Sequence, residues 1–253
     1  KGVTGYELAE TFVQHLEEFS YDHFRDEVLE MKLKPGANQV KIGEEWIEAR
    51  TVIICSGARW KKLGVKGESE LAGRGVSYCA VCDGHFFKDQ VVACIGGGDT
   101  ALEESLYLSR IVKKIYLIHR RDKFRGTKVY QERVFKNPKI EILWNTVVQE
   151  FVGGNELDSL RLKNVKTGEE SILPVNGAFV FIGVAPQADF VPEAIKRDEV
   201  GFIITDAEMR TNIPGVFAAG DIRSKLCRQV STAVGDGATA AHSANLYLES
   251  FSG

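Results

Sequence analysis

The chain has 253 residues, of which 44% are hydrophobic and 26% charged, with a formal net charge of -3 at pH 7. That is enough apolar material for more than one core, so two domains are expected; no basic excess points to nucleic acid, and no apolar run approaches membrane-spanning length. Five cysteines without a recognisable leader point to a reducing, cytoplasmic setting.

In chain order, Gly5 to Phe19 carries Leu8, Phe12, Leu16 and Phe19 at helical spacing and predicts an amphipathic helix. His15 and His23 read as surface or packing residues. From Val28 the pattern becomes strand-like: Val28 to Leu33, a turn at Pro35 to Asn38, Gln39 to Ile42, then Trp46 to Ile54. That last run stops at the small-residue corner Cys55-Ser56-Gly57-Ala58, in which Cys55 reads as a buried small hydrophobe. Arg59 to Val76, with Gly64, Gly67, Gly73 and Gly75, reads as a linker between units, and Trp60 as a packing anchor at its start.

The chemistry is concentrated between Ser77 and Ala101. Cys79 and Cys82 are separated by two residues, a spacing that closes a small disulfide or passes two electrons to a partner, with the thiolate as the attacking species. The same spacing serves half of a zinc site, but zinc needs two more ligands, and Cys55, Cys94 and Cys227 each stand alone in unrelated contexts, so no metal is expected. Asp83 beside Cys82 does not favour a thiolate by its charge, because a neighbouring carboxylate raises a thiol pKa. Its useful role is to donate and accept the proton of a leaving or attacking sulfur.

The apolar run Val91 to Ile95 follows, then Gly96-Gly97-Gly98-Asp99-Thr100-Ala101, a strand, glycine turn and helix start suited to a dinucleotide. Gly96 permits the bend, Gly98 lets the backbone approach a pyrophosphate, and Ala101 packs helix on strand. The next run, Ile115 to Ile118, ends in His119-Arg120-Arg121-Asp122-Lys123-Phe124-Arg125. About 20 residues past the glycines an NAD site places a carboxylate for the ribose hydroxyl; here stand arginines, which pair with a phosphate dianion, so the reading is a 2'-phosphate and hence NADP(H).

Beyond this, Ile140 to Val175 reads as a meander with turns at Gly153-Gly154-Asn155 and Lys166-Thr167-Gly168, and Ala178 to Ile182 as a strand closed by Gly183. The order of meander, apolar strand and small-residue corner repeats the front of the chain. There, however, only a helix precedes the meander, so the front unit is expected to have lost a glycine-turn segment and the chain to be a fragment. Ile213 to Ala219 predicts a strand ending at Gly220-Asp221, and Thr232 to Tyr247 an Ala-rich helix. Gly235-Asp236-Gly237-Ala238-Thr239-Ala240 follows a polar stretch and reads as helix material. His242, on the same helix, reads as a packing residue at a domain or subunit contact.

Cys79-Ala80-Val81-Cys82-Asp83-Gly84, the Gly96 to Ala101 turn, His119 to Arg125, and Pro214 to Asp221 followed by Arg228-Gln229 together resemble the low-molecular-weight, bacterial-type thioredoxin reductases, in the same order over nearly the whole chain. The resemblance implies an α/β fold of two Rossmann-like nucleotide-binding domains with β-meander insertions. Residues 1–60 and 201–253 would form a discontinuous FAD-binding domain lacking its N-terminal glycine motif, and 61–200 an NADPH-binding domain carrying the redox pair. NADPH would reduce FAD, the flavin the Cys79/Cys82 disulfide, and the dithiol a thioredoxin or similar small protein. Cys82 would be the flavin-proximal sulfur, Cys79 would attack the partner and Asp83 would handle the proton.

By the same resemblance NADPH would meet Gly96, Gly97, Gly98, Asp99, Thr100, His119, Arg120, Arg121 and Arg125. FAD would meet Ser56, Gly57, Ala58, Gly220, Asp221, Arg228, Gln229 and Val230. Cys227 departs from the aromatic common before that arginine. Family members rotate the NADPH domain, which makes 59–76 and 200–205 hinge candidates, and they are homodimers. Two other readings stand beside this one: a peroxiredoxin-reductase flavoprotein, which tends to lack the basic run, and a non-catalytic NADP(H)-binding fragment.

Overall fold

The computed structural model describes residues 3–251. The chain divides into two compact units, residues 1–57 with 187–253, and residues 58–186. Both are built from parallel strands capped by helices, with an antiparallel meander attached, which is the FAD/NAD(P)-binding type of α/β fold. Among the described residues no helix is long and apolar enough to cross a membrane.

In the first unit, α1 (Gly5–Glu17) starts in a reciprocal cap: Thr4 Oγ1 accepts the Glu7 N–H, and the Glu7 carboxylate accepts the Thr4 N–H. It ends two residues before Phe19, and none of its residues is buried. β1 (Val28–Lys32), β2 (Asn38–Ile42) and β3 (Glu45–Ala49) form the antiparallel meander. Asn38 fixes its first turn, accepting the Lys34 N–H and donating to the Arg50 carbonyl.

The single run expected over Trp46 to Ile54 is broken at Arg50. Its second part, β4 (Val52–Ile54), leaves the meander and pairs in parallel with β15 (Val216–Ala218). Met31, Ile54, Ile195, Ile203 and Ile222 pack beneath this pair, while α5 (Val230–Glu249) lays Ala240 and Ala244 against Phe217 on the other side. Small residues on α5 let the helix sit close to the strand.

The second unit opens with a ribbon in which β5 (Ala58–Trp60) pairs antiparallel with β14 (Val184–Pro186). Its centre is a five-stranded parallel sheet, ordered β6 (Val76–Ser77), β13 (Gly177–Phe181), β7 (Val91–Gly96), β8 (Lys114–Ile118) and β9 (Ile140–Leu143). One face packs Val92, Cys94, Leu117 and Phe179 under α3 (Asp99–Leu108) and α4 (Lys128–Lys136). The other packs Ala93, Ile95, Ala178 and Val180 against the meander β10 (Thr146–Gly153), β11 (Leu157–Asn164) and β12 (Glu170–Pro174). Covered on both faces, β13 is buried at every position, as its unbroken apolar sequence requires.

Two expectations are corrected here. The run expected as a meander from Ile140 begins with β9, a fifth parallel strand: α4 carries the chain back over the sheet, and a strand after such a crossover returns parallel to β8. The stretch 59–76, expected as a linker, is a packed part of the unit. Leu71 and Val76 are buried, and the Glu68 carboxylate accepts the N–H groups of Leu63 and Gly64 and the Tyr78 hydroxyl. Trp60 stacks on Tyr78 with ring centroids 6.5 Å apart.

Candidate redox and nucleotide site

β6 delivers the chain to Cys79, and the four-residue turn α2 (Ala80–Asp83) brings Cys82 back to it, closing a Cys79–Cys82 disulfide with the Cα atoms 5.3 Å apart. The Cys79 sulfur accepts the Cys82 N–H at 3.1 Å. Cys82 is exposed and Cys79 half-buried. Gly84 anchors the turn: a β-carbon there would stand 2.7 Å from Leu108 Cδ2 on α3. Phe87 then packs edge-on against Phe179, while Phe86 remains exposed. Behind the turn, Glu104 of α3 faces the Ala80 N–H, and burial raises its pKa above the ordinary carboxylate value.

Asp83 is held from the side. Ser77 Oγ donates to its Oδ2 at 2.6 Å and accepts the Cys79 N–H at 3.1 Å. One hydroxyl therefore ties the acid to the backbone of the first sulfur. No signal in the sequence pointed to Ser77 beyond its nearness to the cysteines.

β7 of the same unit feeds the glycine turn. A β-carbon on Gly96 would lie 2.4 Å from the Phe181 carbonyl oxygen and 2.6 Å from Ala101 Cβ, so only a glycine fits between the neighbouring strand and the helix. Gly98 caps α3 without any side-chain hydrogen bond to the first amides, and nothing lies within 4 Å of where its β-carbon would be. This open end of a helix, with unfilled N–H groups, is what a dinucleotide phosphate fits.

The basic run after β8 is strapped across that turn. The Gly97 carbonyl accepts from Arg125 N–H at 2.8 Å and Gly126 N–H at 3.2 Å, and Asp99 Oδ1 accepts from Thr127 N–H at 2.7 Å. Arg120, Arg121 and Arg125 are exposed beside it, and among the described residues their guanidinium groups make no hydrogen bond or ion pair. Thr100, in the first turn of α3, is exposed as well. His119 is not brought to the surface with the arginines. It is 5% exposed, its Nε2 meets the Lys123 carbonyl at 3.0 Å, and burial holds its pKa below 6.5.

The remaining site residues belong to the first unit, apart from Ala58, which begins β5. Ser56 Oγ donates to the Gln187 carbonyl at 2.6 Å, and the Gln187 amide returns a bond to the Ser56 carbonyl at 2.7 Å, closing the corner at Gly57. The Ala219 N–H bonds the Ile54 carbonyl, which sets this corner beside Gly220-Asp221. Arg228 donates to the carbonyls of Asp221 and Arg223, and its guanidinium lies 3.9 Å from the centre of the Phe202 ring. Gln229 caps α5, and Val230, its first residue, is exposed.

Cys55, expected to be buried, is exposed: along β4, Ile53 faces out and Ile54 in, so the strand's alternation turns the next side chain outward. Among the described residues the buried Asp221 Oδ1 has no hydrogen-bond partner, and Lys225 Nζ stands 3.8 Å from it. An acceptor of this kind fits a sugar-alcohol hydroxyl of a flavin nucleotide. Asp236 on α5 was missed by sequence reasoning. It bonds Arg223 at 2.8 Å, Lys225 at 2.9 Å and the Gly220 N–H at 3.0 Å. Burial works to raise its pKa, but the bonds from Lys225 and Arg223 outweigh that and hold the carboxyl below its ordinary value. A lone acid flanked by glycines on an Ala-rich helix was the available signal.

A disulfide on a short turn, packed against the first helix of a dinucleotide fold, defines a nucleotide-dependent disulfide oxidoreductase. Residues 30–237 match the family described as pyridine nucleotide-disulphide oxidoreductase. The thioredoxin reductase of Listeria innocua is 42% identical over 98% of this chain and 78% of its own length, and that of Treponema pallidum 44% identical over 98% and 80%. The crystal structure of thioredoxin reductase from Streptococcus pyogenes superposes with a TM-score of 0.93 at 42% identity, covering 98% of this chain and 81% of that one. The chain belongs to the pyridine nucleotide-disulphide oxidoreductases, and within them to the thioredoxin reductases.

Proposed function

We propose that the unit of residues 58–186 binds NADPH at the glycine turn and the basic run, that the first unit holds FAD at its two corners, and that the Cys79/Cys82 pair passes electrons to thioredoxin or a similar small protein. The observation that carries this is the Cys79–Cys82 disulfide on a short turn packed against α3, the helix that the glycine turn opens. The first-turn N–H groups of α3 take the pyrophosphate, and Arg120, Arg121 and Arg125 take the 2'-phosphate by charge-assisted bonds. Ser56, Gly57, Gly220, Asp221 and Arg228 to Val230 take the flavin end. When bound, these cofactors supply hydride transfer from the nicotinamide and two-electron reduction of the disulfide.

The chain's own part is thiol–disulfide exchange. Asp83 returns a proton to the sulfur that leaves as thiolate, and takes one from the sulfur about to attack. In the family's assignment Cys79 attacks the partner and Cys82 faces the flavin. A second reading, in which Cys82 attacks, is favoured by its greater exposure here. A cytoplasmic homodimer is the expected setting, by analogy with the family.

The test is NADPH oxidation coupled to reduction of a thioredoxin disulfide, with FAD supplied. Turnover that needs both cofactors and thioredoxin supports the reading. Turnover with a peroxiredoxin-type partner alone, or binding of NADPH without any reduction, would replace it with one of the two readings set beside it above.

A further inference from the structure

We propose that Ser77 is a positioning residue that keeps Asp83 in place in both of its protonation states, so that the acid can take and return a proton without reorienting. This rests on the reading in which Asp83 moves the proton of the dithiol. Ser77 is 5% exposed at the end of β6, and three polar groups converge on its hydroxyl: the Cys79 N–H at 3.1 Å, Asp83 Oδ2 at 2.6 Å and the Cys79 carbonyl at 3.4 Å. A hydroxyl has one proton and two acceptor lone pairs. While Asp83 is ionised, Ser77 donates to it and accepts from the Cys79 amide. When Asp83 carries a proton on Oδ2, Ser77 accepts from it and rotates its own proton to the Cys79 carbonyl. No heavy atom has to move between the two arrangements.

The same pair lines a cavity of about 470 Å³ shared with Arg74, Gln90, Glu156 and Asn176, which gives the carboxyl a route to solvent within the same unit. In each exchange a thiol of the reduced pair yields its proton to Asp83 and forms a sulfur–sulfur bond. The disulfide it attacks breaks, and the sulfur expelled as thiolate takes that proton back. After two exchanges the pair has lost two electrons to the substrate and is a disulfide again.

The experiment uses the chain itself, reduced chemically and freed of reductant, and then oxidised by one of two probes. Glutathione disulfide expels a basic thiolate that needs the proton; Ellman's disulfide expels a weakly basic one that does not. Closure of the Cys79–Cys82 bond is followed by alkylation and peptide mass, so that other cysteines do not contribute. Ser77→Ala is expected to slow oxidation by glutathione disulfide roughly tenfold and to flatten the same region of the rate–pH profile as Asp83→Asn, while oxidation by Ellman's disulfide changes little. Ser77→Thr restores the rate, and the double variant is no slower than Asp83→Asn.

Equal slowing with both probes would make Ser77 a fold residue only and overturn the proposal. A normal rate for Ser77→Ala beside a slow Asp83→Asn would overturn it while leaving the Asp83 role standing. A normal rate for Asp83→Asn would remove the Asp83 role and the proposal with it. Should Ser77→Ala not fold, the shape-matched variants Ser77→Thr and Ser77→Val isolate the hydroxyl, and equal rates with glutathione disulfide overturn the proposal.

Discussion

The imidazole of His119 fills the place a β-carbon on Gly97 would need, with Cε1 and Nδ1 each 2.2 Å from that position. The ring also packs on Phe124 and Trp144, with centroids 5.4 and 6.1 Å away, so it cannot retreat. The middle glycine of the turn is therefore required by a side chain arriving from β8, whereas nothing lies within 4 Å of where a β-carbon on the outer glycine, Gly98, would stand. Gly97→Ala should cost about 1–3 kcal/mol of stability through overpacking. Gly98→Ala should leave stability within about 0.5 kcal/mol and weaken NADPH, because the methyl enters the space assigned to the phosphate. Denaturant unfolding and NADPH titration of both variants check the contrast; equal destabilisation by the two would contradict it.

A second expectation concerns pH. Burial holds the His119 pKa below 6.5, so between 6.5 and the lower folded value the unfolded chain binds the extra proton and the folded one does not. Stability then rises with pH across that window. The contribution is complete above 6.5 and is lost as pH falls toward the depressed value. His119→Asn should remove this dependence, narrowing the gap in urea midpoint between variant and parent as the pH is lowered. A gap that stayed constant from neutral pH downward would show that His119 titrates as it does in the unfolded chain.

The third concerns the choice of nucleotide. Each charge-assisted contact from Arg120 or Arg121 to a 2'-phosphate should contribute roughly 1.5–3 kcal/mol, about tenfold to more than a hundredfold in affinity. Replacing both with Gln should weaken NADPH far more than NADH, since both residues are exposed and the fold does not depend on them. Equal losses for the two nucleotides in a titration would sink the assignment.

The sequence made the two Rossmann-like halves legible because their signals are local: apolar runs of strand length, glycines directly after Ile95, and arginines directly after β8. It was less informative where tertiary contacts decide. Ile140 to Leu143 has the same alternation whether it joins a meander or a parallel sheet, and only the crossover through α4 settles which. His119 reads as part of a basic cluster, yet its ring is buried against Phe124 and Trp144. Cys55 follows three apolar residues and reads as buried, but the strand's alternation turns it outward. Asp236 and Ser77 act through partners 16 and 6 residues away, and no periodicity marks such pairs.

The last prediction tests the dithiol itself. If both sulfurs are needed, Cys79→Ser and Cys82→Ser should each lower thioredoxin disulfide reduction by more than about a hundredfold, since neither variant can close the pair. The two differ in what they trap. A thioredoxin lacking its second cysteine should form a stable mixed disulfide with whichever sulfur attacks it: with Cys79 in Cys82→Ser by the family's assignment, or with Cys82 in Cys79→Ser if exposure decides. The chain's other thiols must be kept out of this measurement. Burial pushes the Cys94 thiol up to about 12, so it stays protonated and unreactive near neutral pH. Cys55 and Cys227 are exposed and have to be replaced by serine in every variant. With that background, a mixed disulfide on one sulfur alone assigns the attacking thiol. Trapping by neither, or thioredoxin reduction that survives loss of either cysteine, would mean that electrons leave the protein by another route.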